Sequence, residues 1–321
     1  MKGSLRSTAK EACSAIARLL ARCHLLPDRV IIAMDGGICS QMHFYLVGYM
    51  LTLRGEEVQF DLRWFRESGM DLDNRFCRNF DLLRLFPDLD FTEARHGLLT
   101  RIYLSAFYRH NNYFSDDEDP FAWLDIRGPR YVDGYFHDPE QMYSEYFRRV
   151  FRIVPSHLDS ITLKKNEYIK DVARDFDICA VHVRRGDLAR YNKAYGEPAD
   201  IGYFFEACMR VAEYAANPVW FFIFSDEPEW CSRNLLPPLA ELHAEVFYMN
   251  GSDRGYSDLA LMSRCHHVIT SQGSMGKYAA LLREEEHLDG LVVLPDTPYS
   301  RPWIRRFANA EVIASTTSDR T

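Results

Sequence analysis

Ile178-Cys179-Ala180-Val181-His182-Val183-Arg184-Arg185-Gly186-Asp187 is the stretch on which the fold turns. An apolar run broken only by His182 gives way at once to two guanidinium groups, a glycine and a carboxylate. A run of that length bounded by turn chemistry is the signature of a strand buried on both faces. Downstream the pattern alternates: helix 201–215, strand 219–224, helix 228–235, strand 245–249, helix 257–264, strand 266–270, helix 274–283, strand 290–294. Such alternation predicts a parallel, doubly wound α/β sheet whose ligands lie beyond the carboxyl ends of its strands. Upstream, strand 29–34, the Asp35-Gly36-Gly37 turn, helix 39–53 and strand 57–62 predict a βαβ opening, whereas 63–160 reads as aromatic and irregular. The polar stretch 154–171 is the expected boundary between two domains.

Two domains also suit the length, since 321 residues are about twice a usual domain of roughly 150. Hydrophobic residues at 47% and charged residues at 26% exclude a mostly disordered or fibrous chain. The balance of 38 basic against 46 acidic residues, net −8, excludes a surface that attracts nucleic acid as a whole and leaves room for a local cationic pocket. The eight cysteines are scattered, several in apolar runs, and read as buried free thiols; no CxxC occurs. Cys265-His266-His267 crowds three potential ligands into adjacent positions, unlike the spaced pairs of structural zinc, and no metal is expected. No apolar run approaches the roughly 18 to 20 residues that span a bilayer. Residues 1–27 read as an amphipathic helix too charged for a signal peptide, expected to pack on the protein or touch a membrane surface peripherally.

Four turns carry the chemistry. Two arginines after strand 178–183 offer forked donors suited to a diphosphate. Phe221-Phe222-Ile223-Phe224-Ser225-Asp226-Glu227-Pro228 delivers a hydroxyl and two acids to the same edge, one of them a helix cap and another an acceptor for a base or ribose. Thr270-Ser271-Gln272-Gly273-Ser274-Met275-Gly276-Lys277 offers small residues and backbone N–H groups to an anion. Asp35-Gly36-Gly37-Ile38-Cys39-Ser40-Gln41 is the matching turn of the first half. Neither a Walker loop nor GxGxxG is present. Asp71-x-Asp73, Asp88-x-Asp90 and Asp116 to Asp119 read as solvated acidic loops.

Taken in order, these motifs resemble the α1,2-fucosyltransferases of glycosyltransferase family 11, within the group bearing His-x-Arg-Arg-x-Asp. The likeness runs over about 30–298 and includes Gly36-Gly37, Gln41, Arg78-Asn79-Phe80-Asp81-Leu82, Gly134-Tyr135-Phe136, His182 to Asp187, Phe222 to Cys231, and Asp258-Leu259-Ala260-Leu261-Met262. It departs at Gly37-Ile38-Cys39-Ser40-Gln41, where the family has Gly-x-Gly-Asn-Gln, and at Gln272 to Tyr278, where the family has Asn-Ser-Ser-Phe-Ser-Trp-Trp. Cys39 to His43 is closer to the corresponding turn of α1,6-fucosyltransferases.

The resemblance implies an α/β, GT-B-like fold of two Rossmann-like domains with a nucleotide-sugar cleft between them. It implies an acceptor-side domain over 28–160 and a GDP-sugar-binding domain with a C-terminal tail over 161–321. It further implies GDP-L-fucose as donor substrate, no cofactor or bound metal, a galactose-containing glycan as acceptor, inverting transfer and no nucleic-acid partner. A soluble chain of this kind suits the bacterial cytoplasm, building surface polysaccharide at the inner leaflet. Arg184 is expected to stabilise the leaving diphosphate, and Arg185 to bind phosphate or fix the loop. Ser271, Gln272, Gly273, Ser274 and Lys277 are expected to share the phosphate load, with His182 and Asp226 or Glu227 near guanosine. Asp187 and then Glu197 are the candidate general bases. Gln41, His43, Tyr45 and parts of 103–136 are expected to line the acceptor. Transfer of a different sugar, or glycan binding without catalysis, stays open at this point.

Overall fold

The computed structural model describes residues 13–23, 25–70, 77–111, 127–134, 146–186, 197–247 and 255–316. The chain forms two compact units, one of Met1–Gly69, Arg78–Phe80 and Asp88–Tyr146, the other of Met70–Cys77, Asp81–Pro87 and Phe147–Thr321. The second therefore starts earlier than the expected boundary at 160. The polar stretch read as a linker is helix Ser160–Val172, capped by Asp159, whose carboxylate accepts the Ile161 and Thr162 N–H groups at 2.9 and 3.1 Å. Its burial falls on Thr162, Asn166 and Ile169, so polar residues occupy the buried face and hide the helical rhythm.

The first unit is a parallel sheet in the order β2-β1-β4-β3, from β1 (Arg29–Ala33), β2 (Glu57–Asp61), β3 (Tyr108–Asn111) and β4 (Arg130–Gly134). β1 is central and apolar, which made it legible. The last two strands fall in the region expected to be irregular. β3 is a polar edge strand, and β4 begins with Arg130, buried because it pairs with Glu56. Helix Ile38–Leu53 is apolar nearly all round and buried accordingly. Helix 13–22 packs on this unit through the buried Ala17 and through Ser14 and Arg18, which donate to the carbonyls of Ser105 and Ala106. Its Ile16 and Leu19 remain exposed. No helix among the described residues is long and apolar enough to cross a membrane.

The second unit contains β5 (Asp177–Val183), β6 (Val219–Ser225), β7 (His243–Val246), β8 (His267–Ile269), β9 (Val292–Pro295) and β10 (Ala310–Ile313). All pair in parallel, in the order β7-β6-β5-β8-β9-β10. Counted from β5 this is 3-2-1-4-5-6, the doubly wound order whose reversal point lies between its first and fourth strands. The expected C-terminal tail instead supplies the edge strand β10. Phe221 and Ile223 of β6 pack with Tyr203, Phe204 and Val211 of helix Ile201–Tyr214, each fully buried large apolar side chain contributing about 1.5–3 kcal/mol.

Gly48 tests the packing of the first unit. A Cβ there would lie 2.6 Å from the Phe60 ring, and Phe60 is held by stacking on Phe91 at 4.7 Å and Tyr45 at 5.6 Å. Gly48→Ala should gain up to ~1 kcal/mol of helix propensity and lose ~1–3 kcal/mol to overpacking. Net destabilisation is expected, read as a lower urea midpoint at unchanged slope; a raised midpoint would show that Phe60 can move aside.

Candidate active site

Three strands of the second unit, β5, β6 and β8, end side by side and deliver their turns to one place. Ser225 Oγ donates to the Val183 carbonyl at 2.9 Å and accepts the Glu227 N–H at 3.0 Å, pinning the exits of β5 and β6 together. Asp226 then reaches across: one carboxylate oxygen takes the Arg184 guanidinium and the other accepts the Arg185 backbone N–H at 3.0 Å. Gly186 makes room for it, since a Cβ there would meet Asp226 Oδ2 at 2.5 Å. The Arg184 and Asp226 side chains are 24% and 20% exposed, so their pair lies between a solvated one, worth roughly 0–1 kcal/mol, and a fully buried one. Arg185 stacks on Trp230, its guanidinium carbon 3.8 Å from the ring centre, with Glu227 3.9 Å from its Nε. That Nε is buried and has no hydrogen-bond partner among the described residues.

The β8 turn closes the other side. Ser271 Oγ accepts the Arg184 N–H at 2.9 Å and lies 3.1 Å from His182 Nδ1, joining β5 to β8 at the reversal point of the sheet. Burial pushes His182 down to about 3, with Arg184 and Lys277 adding to the effect, so the ring is neutral. Gly273 has φ +85°, a left-handed turn that favours glycine. Tyr203 donates to the Thr270 carbonyl at 2.6 Å and supports the turn from below.

Two residues expected to face phosphate are turned inward. Lys277 is buried beneath the turn, its ammonium donating to the Ser271 and Gly273 carbonyls at 3.1 and 2.8 Å, and burial brings it down to about 7. Gln272 is buried as well, accepting the Ala199 N–H at 3.0 Å and donating to the Glu197 carbonyl. Its amide thereby fastens the segment carrying Glu197 to the turn. Asp187 lies outside the described residues.

Gly36, Gly37 and Gln41 belong to the first unit. Gly36 adopts φ +70°, and the fully buried Gln41 donates to the Gly36 and Asn79 carbonyls at 3.2 and 2.8 Å, so its amide holds the turn from inside. His43 and Tyr45 are buried too; burial moves the His43 imidazole down to about 4, and Tyr45 donates to the Asp90 carbonyl. All three side chains are buried within the first unit.

At the amino-terminal edge of the second sheet, Asp177, His266 and His267 place potential ligand atoms within 4.8 Å of one another. His267 Nδ1 already accepts the Leu291 N–H at 2.9 Å, and His266 pairs with Asp289. Cys265 takes no part in this group and contacts the Leu261 carbonyl through its thiol.

Sequence reasoning missed Trp230 and Gly186. Trp230 carried a usable signal, an aromatic placed one turn after the acidic pair that follows β6. Gly186 stood inside the decisive motif, but the reason for a missing Cβ lay on another strand.

The chain is thus built from two parallel-sheet α/β units, as expected. Residues 99–305 match Glycosyl transferase family 11, and the chain belongs to that family. It is 23% identical over 292 residues to the alpha-1,2-colitosyltransferase of Escherichia coli, covering 86% of this chain and 93% of that one. It is 33% identical over 123 residues to galactoside alpha-(1,2)-fucosyltransferase 2 of Mus musculus, covering 37% of this chain and only 34% of the mouse enzyme. Among solved structures, the ADP-heptose LPS heptosyltransferase II of E. coli is similar at a TM-score of 0.44 and 11% identity, over 89% of this chain and 90% of that one.

The buried lysine yields a signed pH effect. Folding lowers Lys277 from 10.5 to about 7, so between those values the unfolded chain holds the extra proton and stability rises with pH by up to ~1.4 kcal/mol per unit. In Lys277→Met the slope of unfolding free energy between pH 7 and 8.5 should be smaller than in wild type by up to one proton. Parallel slopes in urea titrations would show that the lysine stays charged.

Proposed function

We propose that this chain transfers L-fucose from GDP-β-L-fucose to the 2-hydroxyl of a galactoside, with inversion and without a bound metal. The observation that carries the reading is the pair of guanidinium groups brought to the reversal point of the second sheet, where Asp226 and Trp230 hold them. As the bond between sugar and diphosphate breaks, negative charge grows on the β-phosphate while the sugar gains oxocarbenium character. Preorganised donors aimed at that charge are worth a few kcal/mol each. Arg184 and Arg185 supply them, because His182 is neutral and the Lys277 ammonium is committed to backbone carbonyls. The Gly273–Ser274 backbone offers further N–H donors, and Glu227 is an acceptor for the guanine base or ribose.

Asp226 sets the reactivity of Arg184. A diphosphate arriving at this edge shares the guanidinium with a carboxylate already bound to it, so its orientation is fixed before the donor enters. The acceptor hydroxyl gives up its proton to Asp187 or Glu197. The α1,2 linkage is supported by the names of the E. coli and mouse relatives. A second reading, transfer of colitose in the same linkage, is favoured by the long match to the E. coli relative. The product would be a bacterial surface glycan made at the cytoplasmic face, a setting to which the exposed Ile16 and Leu19 add a peripheral membrane contact.

Incubation with GDP-fucose, a panel of β-galactosides and EDTA should release GDP and yield a fucosylated product; strict dependence on added divalent ion would overturn the metal-free mechanism. Arg184→Ala should lower kcat by about 10²–10³ with the circular dichroism spectrum preserved. Turnover near the wild-type rate would remove Arg184 from the mechanism. Of Asp187→Asn and Glu197→Gln, one should lose about 10²–10⁴ in kcat, the range for a general base. Less than tenfold loss in both would mean that departure of the diphosphate drives the reaction without one.

A further inference from the structure

Lys277 is 2% exposed, and burial is the cause that moves its ammonium, with no carboxylate opposing it. A buried charge of this kind is costly. Its compensation comes from one turn: Nζ donates to the Ser271 carbonyl at 3.1 Å and to the Gly273 carbonyl at 2.8 Å. A methionine would fill the same space without desolvating a charge, so the charge itself calls for a reason.

A peptide unit is planar and trans, so a carbonyl and the N–H of the next residue point in opposite directions. By drawing the Ser271 and Gly273 carbonyls inward, Lys277 turns the N–H groups of Gln272 and Ser274 away from itself. Neither N–H makes a hydrogen bond among the described residues. Gly273 at φ +85° precedes Ser274 at φ −98° and ψ −23°, and turns of this kind form anion-binding concavities from successive N–H groups. A carbonyl bonded to an ammonium also polarises its peptide and strengthens the N–H at the other end. Gln272 is buried whereas Gly273 and Ser274 are partly exposed, so the Ser274 N–H is the one that an incoming anion meets.

We propose that Lys277 is a positioning residue for the donor diphosphate, holding the turn from beneath and adding a positive charge behind it without touching phosphate, a role that rests on the transferase reading above. A dianion on the outer face favours the charged lysine, and by linkage the charged lysine favours the dianion. Burial brings Lys277 down to about 7, so at pH 8 it is mostly neutral and binding draws a proton in. On the neighbouring elements, His182 of β5 at about 3, His267 of β8 at about 4, and Cys179, raised well above its usual range, all titrate outside this window. Arg184 contributes a fixed positive charge. On helix Gly255–Met262, Tyr256 donates to Asp159 at 3.2 Å, and Asp258, pushed up to about 7 by burial against the pull of Lys165, titrates in the same range. Its share is common to wild type and to every Lys277 variant.

The test is calorimetric titration of GDP, with ADP and UDP alongside, into the full chain between pH 7 and 9, in pairs of buffers of different ionisation enthalpy. Wild type, Lys277→Met and Lys277→Arg are compared, with thermal midpoints reporting whether each variant folds. A tenfold to hundredfold gain in proton affinity on binding gives ~0.4–0.8 proton taken up at pH 8 and a Kd about five- to twentyfold weaker at pH 9 than at pH 7. Lys277→Met should bind GDP at least about fivefold more weakly at pH 7 and lose the uptake, and Lys277→Arg, always charged, should lose the uptake as well. Wild-type binding without proton uptake would overturn the proposal even if neither variant folded. Uptake that persists in either variant, or wild-type affinity in Lys277→Met at pH 7, would also overturn it. Binding of ADP or UDP in place of GDP, with this uptake, would sink the GDP-fucose reading and leave Lys277 in its role; proton-independent binding of GDP would do the reverse, and binding of none of the three would end both.

Discussion

The two oxygens of the Asp226 carboxylate hold the exit of β5, one taking the Arg184 guanidinium and the other the Arg185 backbone N–H. Everything at the carboxyl edge of the second sheet depends on this bridge. It fixes the direction in which the chain leaves the strand, and it binds the Arg184 guanidinium in advance while that of Arg185 stacks on Trp230. Gly186 has to lack a side chain because the carboxylate occupies the space where one would go. The charge density of the site is thus set by geometry between two strands rather than by the count of basic residues in the motif.

Behind that edge, polar groups do structural work usually left to apolar ones. Lys277 and Gln272 are buried and satisfied, one by two carbonyls of its own turn and the other by the backbone at 197 and 199. Ser271 links β8 to the first residue after β5. A turn held by so many bonds from beneath presents its outer backbone in one conformation, which is what preorganised donors require.

The second sheet was legible because strands buried on both faces are written as apolar runs: 178–183 and 219–224 could hardly be anything else. β3, β4 and β10 were not, since edge strands and a strand with a buried ion pair carry polar residues. The boundary was displaced because helix Ser160–Val172 buries polar side chains. At the site, Arg184, Arg185, Ser225, Asp226, Glu227 and Ser271 could be found from their place after such runs. Their mutual roles could not, because hydrogen bonding between turns decides them. That Lys277 faces inward contradicts the usual exposure of lysine, and no local pattern announces it.

The strand order also dictates when the site can exist during synthesis. β5 gains β6 as a neighbour after a crossover of 35 residues, but its other neighbour, β8, begins 90 residues after β5 does, and β10 later still. Contacts of such separation form slowly. A nascent chain that ends before residue 267 can bring Arg184 to Asp226 but lacks the serine that receives the Arg184 N–H, so an unfinished polypeptide holds the exit of β5 from one side alone.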